Sequence, residues 1–326
     1  MINKIKIAYD LGLNQSMYSV PKGVIQNLEN NYPVKFKLIN TPTTQKIYSD
    51  AEIFWGNRID LNMANQMSKL KWIHFGSVGI NRLNNFQRNN LIITSSKGLV
   101  SSAMSTNIIS LIGIFSRNLN KFFQVENERP KSRDDFENYF HDLKNFDELK
   151  ILILGLGDIG KFLAKNLYQL GAKVHGVSLT KKNLSFIEKE LDFCESKQNL
   201  HKYDFVVSLL PENSSTKNIL DFDFFSKLSK DSIFINAGRG STCLEKDLIK
   251  SLDLGSPKTA ILDVVQNEPL AIIDDIYNHP KTFVTPHIFA FSPSYWPLEI
   301  NLFEENLENY LNDNYLNMKN IEYNSY

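Results

Sequence analysis

The residues that most directly specify chemistry in this chain are three glycines. Gly155-x-Gly157-x-x-Gly160 follows the apolar run Lys150 to Leu154 and opens a stretch of helical spacing that reaches Leu170. The first glycine permits a tight turn, the second lets a pyrophosphate approach the backbone, and the third lets the helix lie close on its strand. The helix start, at Asp158, Ile159 and Gly160, then offers free N–H groups and a positive dipole end to phosphate. Strand, turn and helix come in the order that a dinucleotide site requires, and a second strand, Lys173 to Val177, follows at the required distance. A glycine-rich surface turn requires none of that order.

The end of that second strand bears on which dinucleotide is taken. A site for NAD ordinarily places Asp or Glu there to hold the ribose hydroxyls. Here Ser178 occupies the place, with Lys181 and Lys182 close behind. A carboxylate would repel a 2′-phosphate, whereas serine and lysine would accept one. The expectation is NAD(P), with NADP slightly preferred; the plainer reading of the lysines is a solvated pair.

Five further stretches carry polar residues at strand ends. They are Trp72-Ile-His-Phe-Gly-Ser77-Val78-Gly79, Ser208-Leu-Leu-Pro211 through Thr216, and Phe234-Ile-Asn-Ala237-Gly238-Arg239-Gly240; then Leu262-Asp263-Val-Val-Gln-Asn-Glu268-Pro-Leu270 and Thr285-Pro-His287-Ile288. In this order, with the glycine loop, they resemble the D-isomer-specific 2-hydroxyacid dehydrogenases over nearly the whole chain, most strongly from Leu149 to Ala290. The resemblance implies an oxidoreductase moving a hydride between NAD(P)H and C2 of a small 2-keto or 2-hydroxy acid. Reduction of a 2-keto acid needs a cation to hold the carboxylate and polarise the carbonyl, and an acid to protonate the oxygen. Arg239 matches the cation, because its planar fork can hold two oxygens together. His287 matches the proton donor, since an imidazole titrates near neutral pH. Glu268 would orient that imidazole and favour its protonated form. Leu210, Pro211, Thr216, Ala237 and Gly238 fall at positions of cofactor contact. Asp263 would contact cofactor or order its own loop. Ser77, Val78 and Gly79 would take the substrate carboxylate on backbone N–H groups; His74, just before them, reads as a packed strand residue.

The chain also departs from the family. Ser105-Thr106-Asn107 stands where many relatives have Ala-Glu-His, and Phe289-Ala-Phe291 replaces small residues after His287. Bulky aromatics there would reshape the pocket, so no relative's substrate carries over. A rival of another class is a nucleotide-sensing binding protein of the corepressor type, which shares the fold and can keep all three catalytic residues. Formate dehydrogenase of the same superfamily typically has Gln where this chain has Glu268, which counts against it.

These residues need a scaffold, and 326 residues is more than one typical core holds. Before residue 100, Ile5 to Ala8, Phe36 to Ile39, Ile53 to Trp55, Trp72 to Phe75 and Leu91 to Thr94 read as strands. Val24 to Leu28 and Leu61 to Leu70 between them carry helical spacing. A long helix is expected from Ala103 to Phe123, a solvated excursion from Glu126 to Lys150, and a second strand series through Thr285. A last helix is expected from about Pro297 to Asn312. Alternation of this kind predicts α/β architecture: a Rossmann-fold dinucleotide-binding domain at 101–294, inserted into a flavodoxin-like substrate domain formed by 1–100 and 295–326. Catalysis would fall in the cleft between them.

Composition narrows the partners. Thirty-six basic residues balance thirty-six acidic ones, without a dense block, so neither nucleic acid nor an anionic membrane is called for (Lys+Arg 36, Asp+Glu 36). The longest apolar runs are too short to span a bilayer. The lysine-interleaved start reads as a strand and not a signal peptide. Cys194 and Cys243 make neither a disulfide framework nor a metal cluster, and a reducing cytoplasm is the simple reading. The expected partners are a small 2-keto or 2-hydroxy acid, and a second copy of the chain, since the family is typically dimeric through the helix near Ala103 to Phe123.

Overall fold

A computed structural model describes residues 4–11, 19–39, 49–77, 83, 88–123, 129–269 and 273–325. The chain divides into two compact units, Met1–Leu99 with Phe291–Tyr326, and Val100–Ala290. Val78, Gly79 and Leu270 lie outside the described residues.

The first unit runs β1 (Ile5–Tyr9), α1 (Val24–Asn31), β2 (Val34–Leu38), β3 (Ile53–Gly56), α2 (Leu61–Gln66), β4 (Trp72–Phe75) and β5 (Ile92–Ser95). The second runs α3 (Ser101–Ser116), α4 (Arg133–Glu137), β6 (Lys150–Leu154), α5 (Asp158–Gln169), β7 (Lys173–Val177), β8 (Lys189–Leu191), α6 (Phe193–Gln198) and β9 (Phe205–Ser208). It continues through α7 (Phe222–Phe225), β10 (Ile233–Asn236), α8 (Glu245–Asp253), β11 (Thr259–Leu262), α9 (Asp275–Asn278) and β12 (Thr282–Val284). The chain then returns to the first unit as α10 (Tyr295–Leu311) and β13 (Ile321–Asn324).

Among the described residues the first unit holds a sheet ordered β13-β5-β4-β3-β1-β2. Its five N-terminal strands run parallel in the flavodoxin-like order, and β13 pairs antiparallel with β5. Strands β3, β4 and β5 are buried at every residue, because a parallel strand covered on both faces has no solvent side. Helix α10 covers this sheet with an aromatic stripe. Phe303 stacks on Trp55 with ring centroids 4.0 Å apart and on Trp72 at 5.2 Å.

The second unit's sheet is ordered β12-β11-β10-β9-β6-β7-β8, parallel throughout. This is the Rossmann order, reversing direction between β6 and β9. Phe224, Phe225 and Phe234 centre one core beside that sheet. Helix α3 is shorter than the apolar pattern suggests. It stops at Ser116, and Asn118 takes φ +53 in the left-handed region, which ends helical continuation. The expected excursion after it contains α4, capped by a Ser132–Asp135 box.

Candidate active site

The glycine loop follows β6 at the reversal of the sheet, where open α/β sheets place ligands. Gly155 has φ +103, and a Cβ there would stand 2.9 Å from the Leu209 carbonyl oxygen. A Cβ on Gly160 would sit 2.0 Å from the Gly155 oxygen, so α5 can approach β6 only with glycine. At Gly157 a Cβ would meet nothing within 4 Å. That open side is the cradle a pyrophosphate would need. Gly157 caps α5 without a side-chain hydrogen bond, leaving first-turn amides at Asp158, Ile159 and Gly160 to a ligand. These residues fit a bound dinucleotide.

The neighbouring strand ends close around the loop. The Ala237 amide donates to the Ser208 carbonyl at 3.0 Å. A Cβ on Gly238 would lie 2.6 Å from the Leu210 carbonyl oxygen. Thr216 closes its own turn, its hydroxyl donating to the Pro211 carbonyl at 2.6 Å and accepting from the Asn213 amide at 2.9 Å. Arg239 is half-buried, and its Nη1 donates to the Gly238 carbonyl at 2.7 Å. Its own carbonyl is fixed by the Thr242 hydroxyl at 2.7 Å.

His287 and Glu268 meet. His287 Nδ1 and Glu268 Oε2 are 2.8 Å apart, with both side chains open to solvent, 47% and 39% exposed. The second Glu268 oxygen accepts from the Val265 amide at 3.3 Å. His287 has φ +55, a left-handed conformation that costs a residue with a Cβ about 1–2 kcal/mol. Asp263 holds it there. Only 2% exposed, it accepts from the Thr285 hydroxyl at 2.7 Å and the Ile288 amide at 2.8 Å on Oδ1, and from the Phe289 amide at 3.1 Å on Oδ2. Three hydrogen bonds to a carboxylate, each about 1.5–3 kcal/mol, outweigh that local cost. Of the two readings of Asp263, loop ordering is the one its contacts serve. Asp263, Glu268, Thr285, Pro286 and His287 line a cavity of about 510 Å³ with Val265, Pro269, Tyr277 and Val284.

The departures from the family pattern connect to this loop. Asn107 on α3 donates from Nδ2 to the Phe289 carbonyl at 3.0 Å. Ser105 accepts from Asn166 of α5 at 3.2 Å, tying α3 to the glycine-loop helix. Phe289 itself is buried, and Phe291 is exposed.

After β7 the Ser178 hydroxyl donates to the Thr180 carbonyl at 2.8 Å, and Lys181 and Lys182 are exposed. A residue absent from the sequence reading organises this turn. Glu190 on β8 accepts from the Lys182 amide at 2.6 Å and the Leu184 amide at 3.1 Å. Partial burial opposes its ionisation, but those amides, with Lys181 nearby, hold its carboxyl below the usual range. On the first unit Ser77 follows β4 after Gly76. Among the described residues no cluster of three or more metal-ligating side chains occurs, and no helix is long and apolar enough to cross a membrane.

A family model described as D-isomer specific 2-hydroxyacid dehydrogenase, NAD binding domain, matches residues 115–288. The chain belongs to that family. Among curated proteins it is 35% identical over 150 residues to glyoxylate/hydroxypyruvate reductase A of Yersinia enterocolitica, covering 44% of this chain and 46% of that protein. The match therefore spans about half the length of such relatives. A probable 2-hydroxyacid dehydrogenase from Rhizobium etli, solved with NADP, HEPES and L(+)-tartaric acid, superposes with a TM-score of 0.79 at 22% identity over 98% of both chains. An NADPH-dependent glyoxylate/hydroxypyruvate reductase from Sinorhizobium meliloti, solved with NADP and sulfate, gives 0.79 at 21% identity over the same shares. At these identities the likeness establishes the two-unit α/β fold.

Proposed function

We propose that the chain is an NAD(P)-dependent reductase of small 2-keto acids, yielding the D-2-hydroxy acid. The observation that carries this reading is the 2.8 Å pairing of His287 with Glu268, on a loop that Asp263 holds in a costly conformation. Solvent-exposed structural histidines need no such support. The first-turn amides of α5 are assigned to the pyrophosphate, and Leu210, Pro211, Thr216, Ala237 and Gly238 to the rest of the cofactor. The bound nicotinamide supplies the hydride. Arg239 holds the carboxylate and draws electron density from the carbonyl. His287 delivers a proton to the carbonyl oxygen, while Glu268 keeps its ring oriented. Ser77, with Val78 and Gly79 beyond it, is assigned to the substrate carboxylate.

NADPH is the proposed reductant. Support comes from the missing acid after β7, from exposed Lys181 and Lys182, and from the NADP in the solved relatives named above. Ser178→Asp, adding a ribose acceptor and repelling phosphate, should lower kcat/KM with NADPH and raise it with NADH. A wild type that prefers NADH would refute the preference. Oxidation of NAD(P)H against a panel of small 2-keto acids tests the reaction itself; cofactor binding without turnover would favour the corepressor-type reading. We further propose a homodimer through the face that follows α3, where Leu119, Phe122, Phe123 and Phe140 are exposed.

A further inference from the structure

The first unit buries an ionisable network that none of the roles above uses. Glu299, on the second turn of α10, and His74, on β4, are both 0% exposed. Glu299 Oε1 accepts from Trp55 Nε1 at 2.8 Å and lies 3.3 Å from His74 Nε2. Its Oε2 meets the Ser96 hydroxyl at 2.5 Å. His74 Nδ1 is 2.6 Å from Thr94 Oγ1, which also accepts from Trp72 Nε1 at 2.9 Å. Burial works against ionisation of Glu299, yet the facing His74, with hydrogen bonds from Ser96 and Trp55, holds its carboxyl below the usual range. Such a pair adds little net stability, because desolvation offsets the attraction, and a well-packed apolar pair would serve the core as well. Its contacts point to a different use.

They converge on the peptide that leaves β4. The Phe75 carbonyl accepts from the Ser96 amide at 2.9 Å and lies 2.8 Å from the Ser96 hydroxyl, whose single proton serves either this carbonyl or Glu299. The Gly76 carbonyl accepts from the hydroxyl of Tyr295, one turn before Glu299 on α10, at 2.5 Å. The Ser77 carbonyl accepts from the Ser96 amide at 3.3 Å. Three consecutive carbonyls are therefore turned into the unit. The backbone lies hard against the network: a Cβ at Gly76 would stand 2.8 Å from Leu11 and 3.2 Å from the Tyr295 hydroxyl.

We infer that Ser96, Tyr295 and Glu299 are positioning residues, which set the affinity for the substrate carboxylate by fixing the Phe75–Ser77 carbonyls inward. The inference rests on the reading of the chain as a 2-keto acid reductase. Tyr295→Phe deletes one hydroxyl and Ser96→Ala another, with little change of volume. Each should raise KM for the 2-keto acid about three- to tenfold, and the inhibition constant of oxamate in parallel, with kcat and the cofactor Kd within about twofold. Glu299→Gln keeps an acceptor toward Trp55 and a donor toward Ser96, and should move KM less than Ser96→Ala. An unchanged KM in both hydroxyl deletions, or a fall in kcat alone, overturns the inference. Amide hydrogen exchange at Gly76 and Ser77 reads the network without substrate. It should quicken in Tyr295→Phe, and equal exchange in wild type and variant overturns the positioning. Faster exchange in a protein that turns over no 2-keto acid upholds the positioning and refutes the assigned reaction.

Discussion

His287 stands in a backbone conformation that an imidazole gains nothing from by itself. The gain is where the ring goes: Nδ1 meets Glu268 at 2.8 Å, leaving Nε2 as the nitrogen for a substrate. His287→Ala should lower kcat by about two to four decades with cofactor affinity unchanged, measured by steady-state kinetics and fluorescence titration. Comparable turnover in the variant would remove His287 from the chemistry. Glu268 holds the ring through Nδ1, so its loss should leave the imidazole without a fixed orientation. Glu268→Gln should therefore lower kcat with the cofactor Kd unchanged; an unchanged kcat would count against the pairing.

At the scale of elements, the site hangs on what strands and loops do at their ends. Asp263, where β11 finishes, ties together Thr285, Ile288 and Phe289. Asp263→Ala should free that loop. Turnover should then fall by at least about tenfold, with the Rossmann sheet intact by circular dichroism and the cofactor still bound. Full activity would mean that Asn107 and the chain itself suffice to hold the loop. The same elements explain what was legible in the sequence. Strands β6, β7, β9, β10 and β11 are apolar runs closed by glycine or polar residues, so both they and the glycine loop could be read directly. Strand β8 is Lys-Glu-Leu and edge-exposed, with no hydrophobic signal, and so Glu190 and its grip on the turn after β7 were missed. Strand β13 was missed because its pairing with β5 joins residues more than two hundred positions apart. Helix α3 was read too long, since Phe122 and Phe123 continue its apolar character past the break at Asn118. The contact of Asn107 with Phe289, like that of Glu299 with His74, depends on tertiary placement that periodicity does not encode.

Taken whole, the molecule has a formal net charge of zero, so apolar surface and not charge would govern self-association. Phe123 is 73% exposed, and Phe122 and Phe140, also exposed, belong to the surface proposed to meet a second copy. Phe123→Glu should convert a dimer to monomer in light scattering at micromolar concentration; a monomeric wild type would dispose of the dimer. The chemistry asks for a more direct measurement. The test is NADPH consumption with glyoxylate and other small 2-keto acids, followed in wild type and His287→Ala at saturating cofactor. Wild type should consume NADPH in step with formation of the D-2-hydroxy acid, and the variant should bind NADPH yet turn over at least about a hundredfold more slowly. No consumption by wild type with any 2-keto acid, while NADPH binds, would contradict the assignment of this site to 2-keto acid reduction.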